Sequence, residues 1–121
     1  MAFLIGFIPM WSKAREHVRQ RDAAHRELTL REMEGTLASA AIDARRGDYE
    51  PARKAASRFF TALQEQIDEK EMSALTAEQK LEAASFFQQR DNIITLLARS
   101  DPAAADRLSD LYVAFRKLIA R

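Results

Sequence analysis

The chain has 121 residues, with 19 Lys and Arg against 18 Asp and Glu, no Cys, three Gly and three Pro, the size of one domain and long enough to bury a core. A composition of 47% hydrophobic and 31% charged residues excludes wholesale disorder, a collagen-like repeat and a disulfide scaffold. The lack of Cys removes thiol catalysis and Cys-based zinc sites, and a net charge of +1 gives no concentrated basic excess of the kind a nucleic-acid binder carries.

The chain holds 22 Ala and 12 Leu but only two Val. So many helix formers and so few β-branched residues point to an all-α protein. Its first eleven residues, Met1 to Trp11, carry no charge. As a helix rising about 1.5 Å per residue they reach about 15 Å, half of a roughly 30 Å hydrocarbon core, so they cannot span a bilayer alone. They lack the basic region and the cleavage site of a secretory signal. Trp11 followed by Ser12-Lys13-Ala14-Arg15 has the order of a membrane exit, an interfacial aromatic and then bases among headgroups.

Residues 1–12 are therefore expected to be a membrane anchor, the second half of a transmembrane helix that begins upstream of Met1 or a segment that dips into one leaflet. Membrane contact falls to Phe3, Leu4, Ile5, Phe7, Ile8, Met10 and Trp11, and headgroup contact to Lys13, Arg15 and Arg19. Between residues 12 and 21, Lys13, Arg15, Arg19 and Arg21 outweigh Glu16, which puts the rest of the chain on the cytoplasmic face of the membrane. The alternative packs the apolar residues onto the helical body and makes the protein a soluble cytoplasmic one.

The first helix is expected from about Ser12 to Arg46, stopped by Gly47. Leu30, Met33, Leu37, Ala41 and Ala44 form its core stripe. Residues 13–29 carry a separate thin seam through Ala14, Val18, His25 and Leu28, and Leu28 and Leu30 differ by about 200° around the axis. This part reads as a polar stalk that projects the bundle or pairs with another copy in a short coiled coil, or else as an ordinary solvated helix. Gly35 marks either a close helix approach or a harmless imperfection.

A second helix opens at Asp48 or Tyr49, with Pro51 in its first turn, and runs to about Met72 on a stripe of Tyr49, Ala52, Ala56, Phe59, Phe60, Leu63 and Ile67. Thr76 and Gln79 spell a capping box for a third helix reaching Arg99, with Phe86, Phe87, Ile93, Ile94 and Leu97 on one face. Arg90 sits within that face, so it either snorkels to the rim or forms a buried ion pair with Asp43 or Asp110. Asp101 and Pro102 open a fourth helix with Leu108, Leu111, Phe115 and Leu118 inward. Short links between such helices give an antiparallel bundle of about four helices over residues 30–121.

Gly47-Asp48-Tyr49-Glu50-Pro51-Ala52, followed by Phe59, resembles the helix-turn-helix centre of a tetratricopeptide repeat, with Ala40 as the small residue that lets two helices pack closely. The resemblance covers about 30 residues, and Thr36 and Asp43 stand where that family favours large apolar side chains. It implies a tightly packed hairpin, and peptide binding if repeats stack in tandem.

Motifs that carry chemistry are sparse. There is no G-x-S-x-G, phosphate loop, H-E-x-x-H or EF-hand loop. Asp22 and His25 have the spacing of half a helical metal site, but a di-metal bundle centre needs two such pairs and two more carboxylates facing inward. No catalytic, cofactor-binding or metal-ligating residue is therefore assigned, and no cofactor is expected. The expectation is a non-enzymatic, bacterial-type, membrane-tethered interaction or scaffold protein, with the membrane and an unidentified protein as partners, a homo-oligomer through residues 13–29 as a further option, and no nucleic acid. A soluble regulator or peptide-binding module is the alternative.

Overall fold

In a computed structural model, the backbone is described for residues 2–70 and 72–120 and the side chains for residues 23–70 and 72–120. The chain folds into five helices, α1 (Ala2–Arg45), α2 (Tyr49–Asp68), α3 (Ala77–Ala84), α4 (Phe87–Ala98) and α5 (Ala103–Ile119), with no strand among the described residues. It is an all-α bundle. The longest helix, α1, packs against α2 on one side and α5 on the other, and α4 closes the ring by touching both. Ion pairs from Glu34 to Arg116 and from Arg45 to Asp106 show that α1 and α5 run antiparallel.

Inside the ring lies one apolar core. Leu37, Ala40 and Ala44 of α1 meet Ala52, Ala56, Phe59 and Leu63 of α2, with Ile93 and Leu97 of α4 and Leu108, Leu111, Phe115 and Leu118 of α5 completing it. These follow the three- and four-residue steps of one helix face. Phe59 stands edge-on to both Phe60 and Phe115, at centroid distances of 5.4 and 5.1 Å, so the second contact joins diagonal corners of the bundle.

The α1–α2 hairpin turns at Gly47, whose φ of +82° is strained for any residue with a Cβ. The Asp48 N–H donates to Asp43 O at 2.8 Å and the Gly47 N–H to Ala44 O at 3.1 Å, the paired bonds of a Schellman stop. The same pair recurs after α4, where Asp101 N–H reaches Leu96 O and Ser100 N–H reaches Leu97 O, but here Ser100 holds the left-handed position with φ 55°. Asp101 then caps α5, its Oδ1 accepting from Ala103 N–H at 2.9 Å. At α3 both halves of the capping box form, Gln79 N–H to Thr76 Oγ1 at 3.1 Å and Thr76 N–H to Gln79 Oε1 at 2.9 Å.

Three boundaries differ from those the periodicity gives. The helix expected from Thr76 to Arg99 is two helices. Tight bonds from Ser85 to Glu82 and from Phe86 to Ala83, with the Ser85 hydroxyl donating to Glu82 O at 2.7 Å, break it at residues 85 and 86. The break lets Phe86 bury while Phe87 packs on Phe60 at 5.8 Å. Next, α2 ends at Asp68 rather than near Met72. Gln66 captures the following chain, its backbone oxygen accepting from Ser73 Oγ at 2.6 Å and its Oε1 from Ala74 N–H at 2.7 Å. Finally, α1 begins at Ala2 rather than near Ser12.

Arg90 is exposed, as are all its neighbours from Gln88 to Asn92. The buried pair with Asp43 or Asp110 does not form, and among the described residues the ion pairs are made elsewhere. With α4 starting afresh at Phe87, its first turn offers only Phe87 to the core, and an Arg in water needs no carboxylate.

Candidate interaction surface

The polar chemistry of the interior is spent on structure. Ser73 and Gln79 are the buried polar residues among those described. The Ser73 hydroxyl donates to Gln66 O and accepts from Leu75 N–H at 3.1 Å. Gln79 closes the α3 cap and sends its Nε2 to Leu118 O at 3.1 Å, tying the start of α3 to the end of α5. No buried side-chain polar atom among the described residues lacks a partner, and no group of three or more metal-ligating side chains converges there. His25 is exposed.

The surface is more informative, and α1 shapes most of it. From Ala23 to Leu28 every side chain is exposed, and burial begins with Leu30, half-buried against the core, and Met33, fully buried. The described part of the expected stalk is thus free of the bundle. Once α1 joins the bundle, its inward face carries Met33, Leu37, Ala40 and Ala44. Its opposite face carries Leu28, Gly35 and Ile42 in steps of seven, which drift only about 20° per step. Leu28 is 55% and Ile42 54% exposed. A Cβ on Gly35 would meet nothing within 4 Å, so no other helix approaches it among the described residues.

A shallow hollow of about 290 Å³ lies between α1 and α2, where Ser39 and Asp43 face Glu50, Lys54 and Arg58. Nearby, Arg53 grips Glu50 through Nε at 3.2 Å and Nη2. That hydrogen bond holds the Glu50 carboxyl below its ordinary pKa against an opposing desolvation, with the charges of Arg53 and Lys54 adding smaller contributions, and raises the pKa of Arg53. A second hollow, of about 390 Å³, lies at the start of α3, between Thr76, Glu78 and Glu82 on one side and Leu118 on the other. Hydroxyl and carboxylate side chains line both, Ser39 with Asp43 and Glu50 in the first and Thr76 with Glu78 and Glu82 in the second. Both are open depressions, the first of mixed polarity and the second lined mostly by apolar surface.

The α1–α5 seam is polar at its rim, and its partners were not legible beforehand. Glu34 accepts from the Tyr112 hydroxyl at 3.1 Å and pairs with Arg116 Nε at 3.4 Å, while Arg45 reaches Ser109 Oγ at 3.3 Å and Asp106 at 3.7 Å. Leu81, 78% exposed, and Val113, 49% exposed, also stand outside every stripe read from the sequence; falling off the stripes was the only signal they gave. The expected membrane and headgroup residues, from Phe3 to Trp11 and Lys13, Arg15 and Arg19, lie outside the described side chains. No helix is long and apolar enough to cross a membrane among the residues described.

Comparison with protein-family models, with curated proteins and with solved structures finds no match for the chain.

Proposed function

We propose that the chain is a non-enzymatic interaction module, a helical bundle carried on one end of α1 and held at the cytoplasmic face of a membrane by residues 1–12. The observation that carries this reading is the division of labour within α1. One helix, Ala2–Arg45, supplies a full share of the core through Met33, Leu37, Ala40 and Ala44, yet its side chains from Ala23 to Leu28 touch water rather than the body. A helix needs no such extension to stabilise a bundle it has already entered, so the extension serves distance or contact. The uncharged run from Met1 to Trp11 and the bases that follow it supply the membrane end. The interior supports a binding rather than a catalytic role, because its buried polar side chains satisfy backbone groups. The unidentified protein partner is met through the α1–α2 hollow or along α1 itself.

Trp11 is the sole tryptophan and reports directly on the tether. Added to vesicles containing anionic lipid, the purified full chain is expected to shift its Trp11 emission to the blue and to gain protection from an aqueous quencher. Emission that ignores vesicles at every lipid concentration rejects the tether and favours the soluble alternative, in which residues 1–11 pack on the body.

A further inference from the structure

We propose that residues 13–29 act as a rod, a single run of helix that stands the bundle clear of the lipid and leaves the α1–α2 hollow to a protein partner instead of to headgroups. The inference rests on the tether reading and adds to it a height and an orientation. From Ser12, at the expected membrane exit, to Leu30, where burial begins, a helix spans about 27 Å. That exceeds the Debye length of about 8 Å at physiological salt, so the cations of α2, Arg53, Lys54 and Arg58, stand beyond the reach of an anionic leaflet.

The rod stays helical because the bundle starts it. An isolated helix of this length is marginal in water, since its first turn is costly to nucleate. Here α1 is one helix, Ala2–Arg45, whose turns through Met33 and Leu37 are already held in the core, and residues before Leu30 only propagate it. No Gly or Pro stands between Pro9 and Gly35, and strong helix formers make up most of residues 13–29. Where the rod meets the bundle, Glu27 pairs with Arg31 one turn on, acid before base, the order that supports a helix.

The same segment is poorly made to lie flat. A helix in the plane of the interface buries a broad apolar face, and the seam through Ala14, Val18, His25 and Leu28 is a thin line broken by a histidine. With the rod upright, the helix directions set what faces the lipid. α2 returns along α1 from the turn at Gly47, and α5 runs antiparallel to α1. The last turns of α2 and α5 therefore point to the membrane, and the turns at Gly47 and Ser100 point away. The hollow that holds Asp43, Lys54 and Arg58 lies in the half of the bundle nearer Gly47, farther from the lipid than Leu30.

The absence of Cys allows one dye per chain. Full-length Ala24→Cys, Met72→Cys and Arg46→Cys, all at exposed positions, are labelled with a donor, checked by circular dichroism and added to vesicles of neutral and anionic phospholipid that carry an acceptor at the headgroups. Upright, Ala24 stands about 18 Å and Arg46 about 50 Å above Ser12, and energy transfer is expected to fall from Ala24→Cys through Met72→Cys to Arg46→Cys. Equal transfer from all three describes a bundle lying on the lipid and overturns the rod. Ala23→Gly with Ala24→Pro breaks the helix below the bundle and is expected to raise transfer from Arg46→Cys several-fold; a value unchanged by the break also overturns the rod. Trp11 emission on the same vesicles keeps the two readings apart. A blue shift with equal transfer rejects the rod alone, and no shift with no transfer at any position rejects the tether and the rod with it.

Discussion

The hydroxyl of Tyr112 donates to Glu34 Oε1 at 3.1 Å, across 78 positions of sequence, and fastens the last helix to the first. Arg116 approaches the same oxygen at 3.4 Å and lies 5.8 Å from the Tyr112 ring centre. A net hydrogen bond contributes about 1 kcal/mol, and more when the acceptor is charged. Tyr112→Phe is therefore expected to lower stability by about 1 kcal/mol, read from the denaturant midpoint, and Glu34→Ala by more, because it releases both partners. A Tyr112→Phe protein as stable as the parent would show that the bond is not made in solution.

Phe59 is the residue on which the bundle's diagonal depends. It is fully buried and edge-on to rings on its own helix and on α5. Phe59→Ala removes those contacts and leaves a cavity, for an expected loss of about 3–5 kcal/mol. Leu81→Ala, at a side chain 78% exposed, is expected to change stability by less than about 0.5 kcal/mol. Thermal or urea unfolding of the two variants side by side gives the ranking, and a larger effect at Leu81 would contradict the assigned core.

Both helix stops of the Schellman type use a left-handed residue, glycine at 47 and serine at 100. The Cβ of Ser100 is held against the cost that L residues carry in that region, so Ser100→Gly is expected to gain about 1 kcal/mol. Gly47→Ala, at φ +82°, is expected to lose about as much. Opposite signs in matched unfolding curves are the readout, and a loss at Ser100 would mean that its side chain does something the backbone geometry does not explain.

The strong points of the sequence were the periodic stripes and the punctuation. Met33, Leu37 and Ala44, the α2 stripe from Ala52 to Leu63, and Leu108 to Leu118 are buried as their spacing implies, and Gly47, Thr76 with Gln79, and Asp101 stop and start helices where their chemistry indicates. The break at Ser85 and Phe86 was invisible because no Gly or Pro stands there. It follows from a serine hydroxyl binding its own helix and from the gain in burying Phe86, which depends on where α2 lies. The early end of α2 has the same origin, a glutamine side chain that takes the backbone of a later turn. For the same reason the face read through Arg90 does not exist as one face: the break restarts the helix, and of the two readings of Arg90 the exposed one holds and the buried pair does not. The interaction surface was half legible. Leu28 falls on the thin seam read from Ala14 to Leu28, but that Ile42 is left exposed requires knowing which side of α1 the bundle leaves bare.

Glu50 offers a titration. Its carboxyl is held low chiefly by the Arg53 hydrogen bond, and Arg53 stays charged throughout, so the favourable pairing is present at neutral pH and fades as pH falls through the lowered Glu50 pKa. A side-chain NMR titration is expected to place the Glu50 midpoint below that of an unpaired glutamate, and Arg53→Met to move it up towards the ordinary value. A midpoint that ignores Arg53→Met would show that the pair is not held in solution.

Membrane fractionation of the protein expressed from its own locus, with its upstream DNA intact and a tag after Arg121, bears most directly on the tether. The pellet is washed at alkaline pH, which strips peripheral proteins and leaves integral ones. Retention after the wash is the expected result and would direct the search for partners to membrane complexes; recovery of the chain in the soluble fraction would contradict the tether and return residues 1–11 to the folded body.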